Sequence, residues 1–254
     1  TDKDMTFDIR SQERAGRAHY ARVFTAGQGI VYKGGYGGVY GLNNPVATLE
    51  EARKAVDEQA AKHVNFIKFW MDDERDTIPA KMPYSISTAI IDEAHKKGLS
   101  AVAHVFYLKD AKELVREGIN GFAHMVRDQP VDKELLDAMK AKGVWMVSST
   151  LSREVAYSVA VMPWLQDPFF TRGVTPGTLA FLKSPEREKA VILGYTQFPG
   201  LPYKKKVFYD MDRTLVQTLE NYQAMAAAGI QMGMGTDSLP NSRFPGFNLH
   251  EGMD

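Results

Sequence analysis

Cysteine is absent from this chain of 254 residues. Its absence excludes disulfides, thiolate-based zinc sites and a cysteine nucleophile, so a bound metal would depend on His, carboxylates or a modified side chain. The compartment stays open, because a cytoplasmic protein and an exported bacterial one whose signal has been removed both fit. No stretch approaches the roughly 20 apolar residues of a membrane span, and residues 1–10 do not have the design of a signal peptide.

The chain also has no excess of charge of either sign, because it contains 31 basic and 31 acidic residues. A net charge of zero gives no electrostatic reason to expect nucleic acid or an anionic membrane as a partner. The glycine-rich segment 27–45 contains GGYGG but no P-loop and no strand–GxGxxG–helix arrangement. A small-molecule substrate is therefore the expected partner, and segment 27–45 is predicted to be a flexible loop over the mouth of a barrel.

What the chain does have is a repeated pattern, in which a helical stretch ends in Gly, a short apolar strand follows, and a polar residue ends the strand. The four copies read EAHKKG-LSAVAH, ELVREG-INGFAH, DAMKAKG-VWMVSS and AMAAAG-IQMGMGTD. Apolar strands between helices are typical of a parallel sheet, and chemistry in such sheets collects at the carboxyl ends of the strands. Those ends carry His104, His124, Ser149 and Asp237.

Length and pattern predict an α/β fold, a TIM-like (β/α)8 barrel in which residues 1–254 form a single partial domain. Seven strands are expected, near 5–10, 21–26, 64–69, 100–105, 120–125, 144–149 and 230–236, against the eight of a closed barrel. Thr48 and Glu51 form a capping-box sequence that starts a helix. The proline-rich segment 150–209 is predicted to form short helices and to act as a lid or insertion. Apolar strand edges of an incomplete barrel predict a homo-oligomer or an unstable chain.

Lys68 stands among apolar residues in VNFIKFW. An unpaired buried ammonium is costly, so a lysine inside a barrel strand must find a partner, lose its proton or be modified. Three interpretations are open. Lys68 is a solvent-facing residue of an alternating strand, a Schiff-base nucleophile, or a lysine carbamylated by CO2 whose new carboxylate bridges two metals.

His104 and His124 lie one βα repeat apart, each at the end of a strand. A single His in such a place is more often packed and hydrogen-bonded, but two neutral imidazoles on adjacent strands suit zinc. Asp237 follows GMGT, where it either caps a following helix or binds a metal and takes the proton from its water.

Three further residues are predicted to bind substrate. Tyr107 and Arg127 each follow a candidate His by three positions, on loops that would face a substrate. Arg127 could clamp a carboxylate through two parallel hydrogen bonds, or pair with Asp128 at the surface. His250 lies just beyond the last predicted strand and could reach the mouth. A dipeptide or an N-acyl amino acid would suit these residues.

The order of Lys in FIKFW, His in AVAHV, His in GFAHM and Asp in GMGTDS resembles the metal-dependent amidohydrolase superfamily, especially its imidazolonepropionase-related and prolidase-like members. The resemblance implies that Lys68 is a carbamylated bridging ligand and that His104 and His124 hold the more exposed metal. It implies that Asp237 ligates the buried metal and acts as general base and acid. One or two divalent ions, with zinc the first choice, would activate a hydroxide that cleaves an amide (C–N) bond in a dipeptide-like, N-acyl amino acid or cyclic substrate.

One element of that pattern is missing. The first strand of the superfamily carries an HxH pair, and this sequence contains no HxH. The accessory β-sandwich domain of many relatives is not recognisable either. We therefore expect a chain truncated at both ends, without strand 1. Two alternatives to the hydrolase are a lysine Schiff-base aldolase or lyase on the same barrel and a non-catalytic barrel remnant that binds a ligand or partner.

Overall fold

A parallel β-sheet is the central element of the computed structural model, which describes residues 4–17, 21–38, 43–73, 78, 80–148, 166–172, 174–186, 206–235 and 237. Within these residues the strands are β1 (Ile30–Tyr32), β2 (Asn44–Val46), β3 (Phe66–Trp70), β4 (Ser100–His104), β5 (Gly121–Ala123), β6 (Trp145–Ser148) and β7 (Met232–Met234). Every neighbouring pair is parallel. Their order across the sheet is β2-β1-β3-β4-β5-β6-β7.

Helices alternate strictly with strands from β3 to β6. The described helices are α1 (Asp4–Arg14), α2 (Leu49–Ala61), α3 (Tyr84–Lys96), α4 (Leu108–Glu117), α5 (Lys133–Lys142), α6 (Pro168–Thr171), α7 (Pro176–Leu182) and α8 (Lys206–Ala227). The predicted capping box starts α2, because the Thr48 hydroxyl accepts the Glu51 N–H at 3.1 Å and the Glu51 carboxylate accepts the Thr48 N–H at 3.2 Å. The predicted α/β class is confirmed.

The register of the strands places the candidate residues on one face of the sheet. Lys68 pairs with Val102, Trp70 pairs with His104, and His104 pairs with Ala123. Because side chains alternate along a strand, these five residues share a face. The opposite face carries apolar side chains packed into one buried cluster with α2 to α5: Ile67, Phe69, Ala101, Ala103, Phe122 and Met146.

The repeated helix–Gly–strand pattern is present as predicted. Gly118 and Gly143 end α4 and α5 with φ of 97° and 66°, the left-handed region that glycine enters at little cost. The strands predicted at 64–69, 100–105, 120–125, 144–149 and 230–236 correspond to β3 through β7. All of these strands run in the same direction, so their carboxyl ends meet along one edge.

The prediction of two strands near the amino terminus is wrong. Residues 5–10 lie in α1, and residues 21–26 lie outside any strand. Arg10 on α1 is buried and donates hydrogen bonds to the carbonyls of His63 at 2.8 Å and Lys62 at 3.2 Å. Those carbonyls follow the end of α2, where backbone acceptors lack intrahelical partners. The helix α1 thus packs against the end of α2, which is distant in the sequence. The pattern of residues within 5–10 does not reveal this contact.

The segment 27–45, predicted to be a loop, contains β1 and the first two residues of β2 instead. Glycine is depleted in strands. Two strands of only three residues each are therefore hard to recognise in a sequence that is rich in glycine. Ile30 on β1 pairs with Asn44 on one side and Phe69 on the other, which puts β2 at an edge and out of chain order. Among the described strands the sheet is open, with β2 and β7 at its edges, and the closed (β/α)8 barrel stays a prediction.

Among its described residues, segment 150–209 contains the short helices α6 and α7 and the first residues of the long helix α8. Its action as a lid, the single-domain organisation of residues 1–254 and the homo-oligomer stay predictions. Across the part of the chain that the structure describes, no helix has the length and apolarity needed to cross a bilayer.

Candidate active site

Lys68 lies in the middle of β3, on the face shared with His104. Its Nζ lies 4.4 Å from the centre of the Trp70 ring and 3.4 Å from the Phe69 carbonyl oxygen. Burial lowers the pKa of Lys68 from 10.5 to about 7, although the carboxylates of Asp237 and Asp72 act in the opposite direction. Lys68 is therefore partly buried at the candidate site, and its role as a reactive lysine stays a prediction.

His124 lies against His104 because the backbone departs from the strand at that residue. Ala123 pairs with His104 across the sheet, so regular alternation would turn His124 to the opposite face. Its φ of 76° interrupts the alternation, a conformation that costs a residue with a side chain about 1–3 kcal/mol and that clusters at functional sites. The two rings lie 4.2 Å apart between centroids, at 61°, and both side chains are buried.

Asp72 is a site residue that sequence reasoning missed. Its Oδ2 lies 2.6 Å from Nε2 of His104, and both side chains are buried. Asp72 and Asp73 come two and three residues after the end of β3. Two carboxylates just after a predicted strand were the signal available in FWMDD.

Part of the glycine-rich segment packs onto this cluster. The Tyr36 ring meets the His104 ring edge-on, with 5.4 Å between centroids. Gly37 has a φ of +88°, and a Cβ built there would lie 3.0 Å from the Trp70 ring. Tyr36 and Gly37 of segment 27–45 therefore lie against the candidate site, and the close approach of Gly37 to Trp70 explains that glycine.

Asp237 comes three residues after β7, with a φ of 43° and an exposed side chain. The preceding Gly235 still donates its N–H to the carbonyl of Ser148 on β6, at 3.2 Å. Since β5, β6 and β7 are adjacent and parallel, Asp237 lies at the same edge as His104 and His124. The carboxylate of Asp237 raises the pKa of Lys68 and so opposes the effect of burial. Asp237 therefore lies within electrostatic range of the lysine.

Tyr107 is engaged in a network of charged and phenolic groups beside the site. Its hydroxyl donates to Asp73 at 2.6 Å, and the Lys81 Nζ lies 4.3 Å from the centre of its ring. Lys81 contacts the fully buried Asp110 at 2.6 Å, and Tyr84 donates to the same carboxylate at 2.7 Å. The network joins the chain after β3 to the start of α4. Substrate binding by Tyr107 stays a prediction.

Arg127 is buried, with 3% of its surface exposed. Its guanidinium carbon lies 5.0 Å from the centre of the Phe106 ring, and its backbone N–H donates to the Phe106 carbonyl at 2.9 Å. Arg127 is therefore not a surface residue, and its recognition of a substrate carboxylate stays a prediction. His250 and Ser149, the other strand-end candidates, lie outside the described residues.

The fit of these residues to a metal ion is partial. Within the described ranges no three His, Asp or Glu side chains form a ready-made ligand cluster. Two imidazoles in contact, a lysine whose pKa is lowered to about 7 and an aspartate at the same sheet edge supply nitrogen and oxygen donors of the kind that zinc takes. The donors are of a suitable kind, but the described residues do not assemble them into a metal site.

Comparisons with known proteins bear on the fold. No family model matches the sequence, and a comparison with curated proteins found no match. Solved structures do match. An ochratoxinase from A. niger aligns at a TM-score of 0.65 with 17% identity, over 93% of this chain and 51% of that one. A prolidase in complex with N-methylphosphonate-L-proline aligns at 0.65 with 18% identity, over 91% and 52%. A Xaa-Pro dipeptidase with methionine in its active site aligns at 0.66 with 15% identity, over 98% and 55%.

The chain has the fold of the prolidase-like amidohydrolases. The resemblance inferred from the order of Lys, His, His and Asp is thereby confirmed at the level of the fold. The chain spans about half the length of the structures that it matches. At these identities the match carries no information on substrate or metal, so both belong to the proposal that follows.

Proposed function

We propose that this chain carries the strand-end residues of a metal-dependent hydrolase of amide (C–N) bonds. The observation that carries the proposal is the contact of the His104 and His124 rings, 4.2 Å apart, beside a lysine whose pKa is about 7. The shared fold with prolidase and amidohydrolase structures supports it. A dipeptide-like, N-acyl amino acid or cyclic amide substrate fits a site with the buried Arg127 nearby.

His104 and His124 would hold the cation, with Asp237 or a carbamate on Lys68 as the oxygen ligand. A divalent ion bound there supplies Lewis acidity, which lowers the pKa of water and polarises a carbonyl. Carbamylation requires a neutral amine, which adds CO2 and releases one proton. With a pKa of about 7, much of the Lys68 amine is neutral at neutral pH, so Lys68 suits this reaction. Asp237 is exposed at the strand edge, where its carboxylate can take a proton from water and pass it to the leaving amine.

The test combines metal content with hydrolysis. Chain purified without chelator is analysed by inductively coupled plasma mass spectrometry, then assayed on Xaa-Pro dipeptides and N-acyl amino acids with zinc and bicarbonate. We expect one or two zinc ions per chain by analogy with structural and catalytic sites, and loss of both metal and activity in His124→Ala. His95→Ala, which removes an exposed histidine at the end of α3, is the matched control. Full activity after exhaustive dialysis against chelator would exclude the metal.

A second candidate function is Schiff-base chemistry at Lys68, because a buried lysine with a pKa of about 7 is also a competent nucleophile. Borohydride reduction with a panel of carbonyl compounds separates the two. A stable mass increase on Lys68, without any requirement for metal, would favour the aldolase or lyase. No trapping together with zinc-dependent hydrolysis supports the hydrolase.

A further inference from the structure

The connection between β5 and α5, residues 124–132, runs outside any helix or strand, and its first four residues are buried. Backbone N–H and C=O groups in such a connection have no helical or sheet ladder to join, so other groups must satisfy them. Three of these backbone groups are satisfied by a single side chain, that of Asn221 on α8.

Asn221 is buried, with 1% of its surface exposed. Its Nδ2 donates to the carbonyls of Val126 at 2.8 Å and Gln129 at 3.0 Å, and its Oδ1 accepts the N–H of Val131 at 2.8 Å. Gln217, one helical turn earlier, donates to the same Oδ1 at 3.2 Å. A side-chain amide has two donor hydrogens and two acceptor lone pairs. The amide of Asn221 is therefore fully used, chiefly on the β5–α5 connection.

The connection begins with a residue in a strained conformation. His124 has a φ of 76°, and this departure from the strand brings its ring to that of His104, 4.2 Å away between centroids. A residue with a side chain keeps such a φ only where the surrounding structure over-determines it. On the amino-terminal side the sheet provides the restraint, because the His124 N–H donates to the Val147 carbonyl at 3.0 Å.

On the carboxyl-terminal side the restraints come from other parts of the chain. The N–H of Arg127 donates to the Phe106 carbonyl at 2.9 Å, and Asn221 holds the carbonyl of Val126, two residues after His124. These hydrogen bonds fix the backbone on both sides of the strained residue. The bond from Asn221 is made by a side chain, so a substitution removes it without altering the sequence of the connection.

We propose that Asn221 is a positioning residue, which holds the β5–α5 connection in the course that turns the His124 ring onto His104. Without the amide, the carbonyls of Val126 and Gln129 lose a buried donor. The connection is then free to relax toward extended backbone, in which alternation turns His124 away from His104. The consequence for hydrolysis rests on the proposed function, whereas the contact between the two rings does not.

The ring contact is read from nuclear Overhauser cross-peaks between imidazole protons of the full chain, labelled on histidine and free of metal. His104→Gln and His124→Gln assign the two rings. We expect a cross-peak between them in the unsubstituted chain and its loss in Asn221→Ala and Asn221→Asp. The Asp side chain keeps the size and the acceptor of Asn221 but, when ionised, has no donor hydrogen, so it carries the test should the Ala variant not fold.

Gln217→Ala is the matched control, because it removes one hydrogen bond to Asn221 and leaves the three bonds between Asn221 and the connection. It should keep the cross-peak, and thermal unfolding by circular dichroism checks that each variant folds. Hydrolysis of Xaa-Pro dipeptides with zinc and bicarbonate gives a second reading. A misplacement of about 1 Å at a site can cost about 100-fold in rate, so kcat should fall about 100-fold in both Asn221 variants and stay unchanged in Gln217→Ala.

The outcomes separate the two proposals. A cross-peak that persists in a folded Asn221 variant, or one that is missing from the unsubstituted chain, overturns the positioning role. An equal loss in Gln217→Ala would show that any change on α8 disturbs the connection and would also overturn it. Loss of the cross-peak confined to the Asn221 variants, in a chain that neither binds zinc nor hydrolyses a substrate, supports the positioning role and overturns the proposed function.

Discussion

Replacing Lys68 with Met should stabilise the metal-free chain at neutral and acidic pH. Burial lowers the pKa of Lys68 from 10.5 to about 7, so below that value the folded protein holds a partly buried ammonium. Each pKa unit corresponds to about 1.4 kcal/mol. Because Lys68 is only partly buried, the charged lysine costs the folded state at most about 5 kcal/mol, from which any loss of packing by the Met side chain is subtracted.

The sign of the pH dependence follows from the same shift. Between the folded value of about 7 and the unfolded value of 10.5, the unfolded chain binds more protons than the folded one, so the free energy of unfolding rises with pH. The largest slope that Lys68 can contribute is about 1.4 kcal/mol per pH unit. Because Met does not titrate, the advantage of Lys68→Met should be greatest at low pH and should shrink across this window.

Urea unfolding, followed by far-ultraviolet circular dichroism over a series of pH values, measures this difference. Degassed buffer and chelator keep carbamate and metal away from the lysine. Lys54→Met, at an exposed lysine on α2, is the control and should show no such pH-dependent gain. A stability difference that does not vary with pH, or a Lys68→Met variant that is less stable throughout, would refute the assignment of Lys68 to a buried site.

Two further predictions concern packing and buried charge, both measured by denaturant unfolding. A Cβ at Gly121 would overlap the Trp145 ring, so Gly121→Ala should lower the free energy of unfolding by about 1–3 kcal/mol. Gly177→Ala, where no atom lies within 4 Å, should not, and equal losses would contradict the clash. Lys81→Met removes the 2.6 Å partner of the fully buried Asp110 and should cost about 3–5 kcal/mol. Adding Asp110→Asn should recover part of that loss, and a further loss instead would count against an unpaired charge as the cause.

The elements that local sequence determines were predicted correctly. Thr48 and Glu51 start α2 through hydrogen bonds over three residues, and Gly118 and Gly143 end helices through their own φ values. Such signals act within one turn, so they do not depend on the rest of the fold. The repeated spacing predicted that His104 and His124 end adjacent strands. Their contact depends also on the φ of 76° at His124, which the spacing does not predict.

The elements that were missed depend on contacts between distant residues. Arg10 belongs to a helix whose buried partner is the end of α2, 53 residues away along the chain. Asp72 becomes a site residue only because the register of β3 and β4 puts Trp70 beside His104 and carries the following carboxylate to the imidazole. Neither relation is visible in a window of a few residues, whatever its composition.

Trp70 gives the candidate site an optical signal of its own. Its indole lies 4.4 Å from the Lys68 ammonium nitrogen and 6.3 Å from the His104 ring centroid, and the chain contains three tryptophans in all. A cation over an aromatic face interacts with its π electrons, so a change of charge at Lys68 acts directly on this fluorophore. With Trp145 replaced by Phe to reduce background, events at the strand ends can be timed by emission alone, without attaching a dye.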